Sequence, residues 1–322
     1  MKVTTLRGTL AAVLLGIAAS ATAQNYPAGP IRIIVPFPAG GGVDTAGRLL
    51  GQKLSEAIGR PVLIDNRAGA NGMIGSEMVA KAPKDGYTLM VNGANFVTSP
   101  TLYAKSLYDP IKDFEAISLL AHAPNILVVH PSLPVKNVRE LIAFAKARPG
   151  DILFAGSGSG STPHLAGELF KTQTNTKMVH VPYRGTGPAI TAILSGEVST
   201  MFMPALTALP LIQSGRVRAL GVTSLERLPA LPELPTVSES GLKGYQSSQW
   251  YGVLAPAGTS PDILNVLNGH TVRIMQSADM KERMKNSGSV AVGSSREVFA
   301  KFLQTEFCKW AQVIKASGAT VD

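Results

Sequence analysis

Three consecutive glycines, Gly40-Gly41-Gly42, stand between an apolar run, Ile31-Arg32-Ile33-Ile34-Val35, and a stretch with Leu49, Leu50, Leu54 and Ile58 at helical spacing. A loop without side chains at a helix N-terminus exposes unpaired N–H groups and the positive end of the helix dipole. That chemistry suits an anion. Asp44 or Thr45 is placed to cap the helix. A counterpart recurs later in the chain. There Gly156-Ser157-Gly158-Ser159-Gly160-Ser161-Thr162 leads from the apolar run Ile152–Ala155 into a helical stretch beginning His164-Leu165-Ala166, with Thr162 and Pro163 as cap and first turn.

Other chemistries for these loops fail on residue type. A nucleotide-binding P-loop needs Lys and Ser or Thr after its last glycine, and Val43-Asp44 stand there. A dinucleotide fingerprint needs a glycine where Thr45 stands, and Asp44 would repel a pyrophosphate. The second loop places Gly158 or Gly160 where a nucleophile elbow needs serine. His164 suits capping or lining a cleft better than general-base work. His122, His130, His164, His180 and His270 are dispersed, with no metal-ligand spacing, so neither a metal nor a cofactor is expected. No carboxylate pair or triad is evident. The residues offer binding chemistry, and no enzyme is read from them.

These loops need elements to hold them. Strand Ile31–Val35, a helix through Ile58, strand Val62–Ile64, a helix opening at Met73 and strand Tyr87–Val91 follow in βαβαβ order. That order argues for a parallel sheet covered by helices. Phe114–Leu133 reads as one extended crossing strand, or as two broken at Ala123-Pro124-Asn125. The α/β syntax then returns around the second loop. If both loops face one cleft, they act as two jaws around one anion, outside the carboxyl ends of the strands.

Lys2 and Arg7, the apolar Leu10–Ala19 and the Ala21-Thr22-Ala23 site read as a signal peptide over residues 1–23, cleaved near Ala23. No cysteine stands at that junction, so no lipid anchor is expected. A chain of 322 residues suits two domains or one large α/β domain. Its net charge of +9 becomes +7 without Lys2 and Arg7, and the cations are scattered, which argues against nucleic acid. Cys308 is the only cysteine and lies on a helical stripe pattern as a passive residue.

Several stretches together resemble one family. YPAGPIRIIVPFPAGGGVDTAGRLL, GRPVLIDNRAGANGMIGSEMVAKAPKDGYTL, SGSGSTPHLAGELFK, MVHVPYRGTGPAI and WYGVLAPAGTSP are similar to the Bug-type periplasmic substrate-binding proteins of tripartite tricarboxylate transporters. The resemblance implies an α/β, two-lobed periplasmic binding protein of type II topology. Each lobe would be a mixed, mostly parallel sheet flanked by helices, with the ligand cleft between them. Lobe 1 would hold residues 24–123 and 250–322 and lobe 2 residues 124–249, with hinges near 122–126 and 245–252. It implies a monomeric receptor that binds a small carboxylate (a di- or tricarboxylate, acidic amino acid or aromatic acid) and serves membrane permease subunits. A sensory receptor for the same ligand is the alternative. Carried over by motif, Phe37, Pro38, Ala39, Gly40, Gly41, Asp44, Gly93, Ala94 and Asn95 would serve from lobe 1. Ser157, Gly158, Ser159, Ser161, Thr162 and His164 would serve from lobe 2, with Tyr183 and Arg184 nearby. Met203 stands where the family often has Asp, which turns the expectation toward acids without an ammonium group.

Overall fold

The computed structural model describes residues 26–158, 160–183, 185–286 and 288–320. The expected signal peptide, and Ser159 and Arg184 of the expected site, lie outside the described residues. Ile31, Ile33, Ile34 and Val35 of β1 (Ile31–Val35) are fully buried, as a central parallel strand requires. β1 pairs in parallel with β2 (Val62–Asn66) on one side and β3 (Thr88–Gly93) on the other. Helix α1 (Gly42–Ile58) crosses between β1 and β2 and buries Val43, Ala46, Leu50 and Leu54. It ends at Gly59, whose φ of 64° is the left-handed turn that glycine accepts without strain. A 3-10 turn (Ala70–Gly72) and α2 (Met73–Ala80) lead to β3, and α3 (Asn95–Leu102) follows it.

β4 (Phe114–Val129) is one strand of 16 residues, which settles the alternative that the sequence leaves open. Phe114–Pro124 pair with β9 (Ser248–Pro256). Asn125–Val129 pair with β7 (Thr200–Pro204), and Ile126–Val129 with β8 (Arg218–Val222). One strand therefore belongs to two sheets. The first runs β2-β1-β3-β9-β4, with β10 (Val290–Ala291) beyond β4. With β5 (Leu153–Gly156) and β6 (Val179–Pro182), the second runs β6-β5-β7-β4-β8. Both follow one pattern. Three parallel strands stand in the order second, first, third; an antiparallel strand then enters from the other half. This is the expected two-lobed architecture of mixed sheets.

Helices α4 (Val138–Ala147), α5 (Thr162–Thr174), α6 (Thr186–Ser195) and α7 (Ala205–Gln213) belong to the second half. α8 (Pro261–Gln276), α9 (Ala278–Asn286) and α10 (Arg296–Ser317) follow β9. α10 packs on α3 and β4 and also on α5, and its Phe299 and Trp310 join a core shared with Phe154 and Phe202. One local expectation is corrected: Ser161 caps α5, one residue before the expected Thr162. Ser295 caps α10, while the Ser294 hydroxyl accepts from the Leu119 N–H. On α10 the covered stripe includes Glu306, which accepts from the Trp310 indole and pairs with Lys309; Phe307 is only partly buried.

Candidate functional site

α1 begins three residues earlier than a cap at Asp44 requires, and four earlier than one at Thr45. Its N-cap is Gly41, with no side chain to cap it. The first helical bond runs from the Thr45 N–H to the Gly41 carbonyl, at 2.9 Å. The N–H groups of Gly41, Gly42, Val43 and Asp44 therefore have no protein acceptor among the described residues. The first three of these residues line a cavity of ≈ 400 Å³ together with Phe37, Pro38, Ala39, Asn95, Gln249 and Tyr251.

Asp44 lies in this loop, but its carboxylate is turned inward. It is 2% exposed and accepts from the Gly40 N–H (2.8 Å), Arg48 Nε (2.9 Å) and Asn66 Nδ2 (2.9 Å). Burial raises its pKa, and these donors with the Arg48 charge lower it further, to about 2. Asp44 is thus a fixed anion that shapes the loop, and its oxygens are not offered to a ligand. Gly40, held by that bond, has a φ of 88°, a conformation that favours glycine.

The second loop differs from the first. The Gly160 N–H donates to His164 Nδ1 (2.9 Å), the Ser161 N–H to the Gly158 carbonyl (3.2 Å) and the His164 N–H to Ser161 Oγ (3.4 Å). Three of its amides, those of Gly160, Ser161 and His164, are thus engaged within the loop. His164 is buried and stacks on His180 with centroids 3.8 Å apart. Burial first, then His180 and Lys171, push His164 down to about 3; burial and Lys171 push His180 down to about 4. His164 is a neutral support for the loop, with its Nδ1 already occupied. The Tyr183 hydroxyl donates to Glu197 (2.6 Å), so it is engaged away from the loop, although its carbonyl passes near Gly158. Thr162 Oγ1 reaches across to donate to Gln249 Oε1, at 3.0 Å.

Gln249 and Tyr251 join the expected residues at this site. They alternate with the buried Ser248 and Trp250 on β9, so both face the cleft. Gly93 pairs with Tyr251 in register and lies under the Gln249 amide, where a Cβ would leave only 2.5 Å to Nε2. A Cβ on Gly42 would collide with the Tyr251 hydroxyl. Tyr251 therefore stands at the N-terminus of α1, and burial pushes its pKa up to about 12, which keeps it a neutral donor. Asn95 lines the same cavity and donates to Asn71 Oδ1 (2.7 Å), while Ala94 is buried.

Met203 is corrected outright as a cleft residue. It is fully buried in the second lobe's core with Met201 and Ile126, and presents no surface to a ligand. Among the described residues, no group of three or more His, Cys, Asp or Glu side chains could hold a metal. No described helix is long and apolar enough to cross a membrane.

The chain belongs to the receptor family of tripartite tricarboxylate transporters, whose model matches residues 46–319. It is 37% identical over 306 residues to Protein BugT of Bordetella pertussis, with 94% of each chain covered. Among solved structures it is similar to R. palustris Rpa4515 with adipate, at 35% identity and a TM-score of 0.77, covering 92% of this chain and 99% of that one. It is also similar to MatC from Rhodopseudomonas palustris with bound malate, at 31% identity and a TM-score of 0.73, covering 90% and 100%. The family is one of receptors rather than enzymes, and a solved relative of this fold is a periplasmic binding protein, which implies a periplasmic place for the chain.

Proposed function

We propose that this receptor binds a small carboxylate in the cleft between its two sheets and delivers it to the membrane permease subunits of a tripartite transporter. One observation carries the reading: four N–H groups, from Gly41 to Asp44, stand without acceptors at the start of α1. The ligand carboxylate takes these donors together with the Tyr251 hydroxyl. Donors fixed by the fold need little ordering on binding. Hydrogen bonds to a charged acceptor are roughly twice as strong as neutral ones. Phe37, Pro38 and Ala39 wall the site, and Gly93 and Asn95 complete it on the same lobe. Ser157, Gly158 and Thr162 close from the other lobe. Asp44, Ser161, His164 and Tyr183 act behind this surface by holding its loops. The adipate and malate of the two solved relatives support a carboxylate as ligand.

The lobes divide near Pro124 and Asn125, where β4 changes sheets, and near Ser248 on β9. Closure about these strands brings Thr162 and Gln249 over the ligand. Export depends on a signal peptide cleaved near Ala23, and the mature receptor acts as a monomer. A thermal-shift screen of citrate, succinate, malate, adipate, benzoate and hexanoate tests the reading, with the matching amides as controls. A ligand at a hundred times its dissociation constant stabilises by about 2.7 kcal/mol. A shift with an acid and none with its amide is expected. Equal shifts with acid and amide would defeat it.

A further inference from the structure

The cleft has a second chamber on the far side of Gly42 and Tyr251. Its volume is ≈ 210 Å³, and a cavity of about 150 Å³ is enough to hold a benzene ring. Thr45, Ala46 and Leu49 of α1 form one wall, Ala123 and Pro124 of β4 the floor, and Ala205 and Leu206 of α7 the opposite wall. Met284, Gly288 and Ser289 complete the lining, and among the described residues none of these side chains carries a charge.

The first turn of α7, on the chamber's other side, carries no cationic side chain. Its N-cap is Pro204, which has no side-chain cap and no N–H to give. Gly288 lies against the Leu206 backbone, so close that a Cβ there would come within 2.7 Å of the Leu206 nitrogen. The Leu206 side chain, by contrast, is 53% exposed at the chamber's lip. An exposed leucine above an uncharged chamber is a surface waiting for an apolar group. A carboxylate placed there would lose water without meeting a cationic side chain among the lining residues.

We infer that this chamber receives the apolar end of the ligand, so that the receptor selects a monocarboxylate with a short aliphatic or aromatic body, and that Leu206 sets this preference. The inference rests on the proposed carboxylate site at Gly41–Asp44 and adds what the other end of the ligand must be. The carboxylate sits on the open amides of α1. The body passes Tyr251 and packs between Leu49 and Leu206. A second carboxylate on the same body would be carried into the uncharged chamber.

Calorimetric titration of the mature chain with two matched pairs, hexanoate against adipate and benzoate against terephthalate, tests this. The monoacid of each pair is expected to bind at least tenfold more tightly than the diacid. Leu206→Arg is expected to weaken hexanoate and strengthen adipate, reversing their order. Leu206→Ala should weaken hexanoate while leaving its melting temperature near that of the parent chain, because the side chain is half exposed. Adipate binding as tightly as hexanoate to the parent chain would overturn the inference and leave the carboxylate site standing. Failure of all four acids, together with malate and citrate, would overturn both.

Discussion

Gly41→Leu separates binding from folding. Gly41 has a φ of −79° and a ψ of 169°, which any residue adopts, and a Cβ there meets only the Pro38 carbonyl, at 3.8 Å. The added side chain therefore projects into the cavity that Gly41 lines, in front of the open amides. The folding cost is that of a poor N-cap residue, about 1 kcal/mol or less. At this chain length that lowers the melting temperature by about 2–4 °C. Binding loses far more. Each hydrogen bond to a charged group is worth about 1.5–3 kcal/mol, so blocking two costs about 3–6 kcal/mol. That is roughly 10²- to 10⁴-fold in affinity. Calorimetric titration with the strongest acid, paired with a thermal melt, reads both quantities. An affinity within about threefold of the parent chain's, with the fold intact, would refute the placement of the carboxylate. Gly40→Ala is the converse variant. At a φ of 88° it strains the backbone by about 1–2 kcal/mol, yet its Cβ meets nothing within 4 Å. Its main effect should fall on the melting temperature.

Asp44→Ala strands the Gly40 N–H and takes one acceptor each from Asn66 and Arg48, and should cost about 1–3 kcal/mol in chemical denaturation while weakening ligand binding through the loop. Because the Asp44 pKa is lowered to about 2, its stabilisation is full above the unfolded value near 3.8 and fades as pH falls toward 2. With Arg48 half exposed that share is about 1–2 kcal/mol, and a urea midpoint series at low pH should lose its lowest step in the variant. His122, His164 and His180 are held to about 4, 3 and 4, so the unfolded chain takes up protons first as pH drops below 6.5. The melting temperature should therefore fall between pH 6.5 and pH 4, and His180→Gln should make that slope shallower; an unchanged slope would count against a neutral stacked pair. Tyr251→Phe removes one neutral donor and should weaken the acid by roughly 3- to 10-fold with little change in melting temperature.

The sequence shows the strand, glycine loop and helix at Ile31–Ile58 plainly, because that signal is local: an apolar run, bare residues and a helical stripe within one stretch. It also shows the recurrence of that unit around Gly156–Thr162. Tyr251 and Gln249 are another matter. Their role depends on β9 returning beside β3 and β4, a pairing between residues far apart in the chain. Met203 shows a second limit. Met201, Phe202 and Met203 are all fully buried, so β7 lacks the alternation that would tell a cleft-facing side chain from a core one. Asp44 shows a third. Its spacing suits a helix start, but whether its oxygens face the ligand or the loop depends on Asn66, which arrives from β2.

A crystal structure of the mature chain with its tightest-binding acid would show where the carboxylate binds. One carboxylate is expected within hydrogen-bonding distance, about 2.7–3.2 Å, of the amides between Gly41 and Asp44, with the Tyr251 hydroxyl alongside. A carboxylate held instead by a cationic side chain, with those amides still open to water, would contradict it.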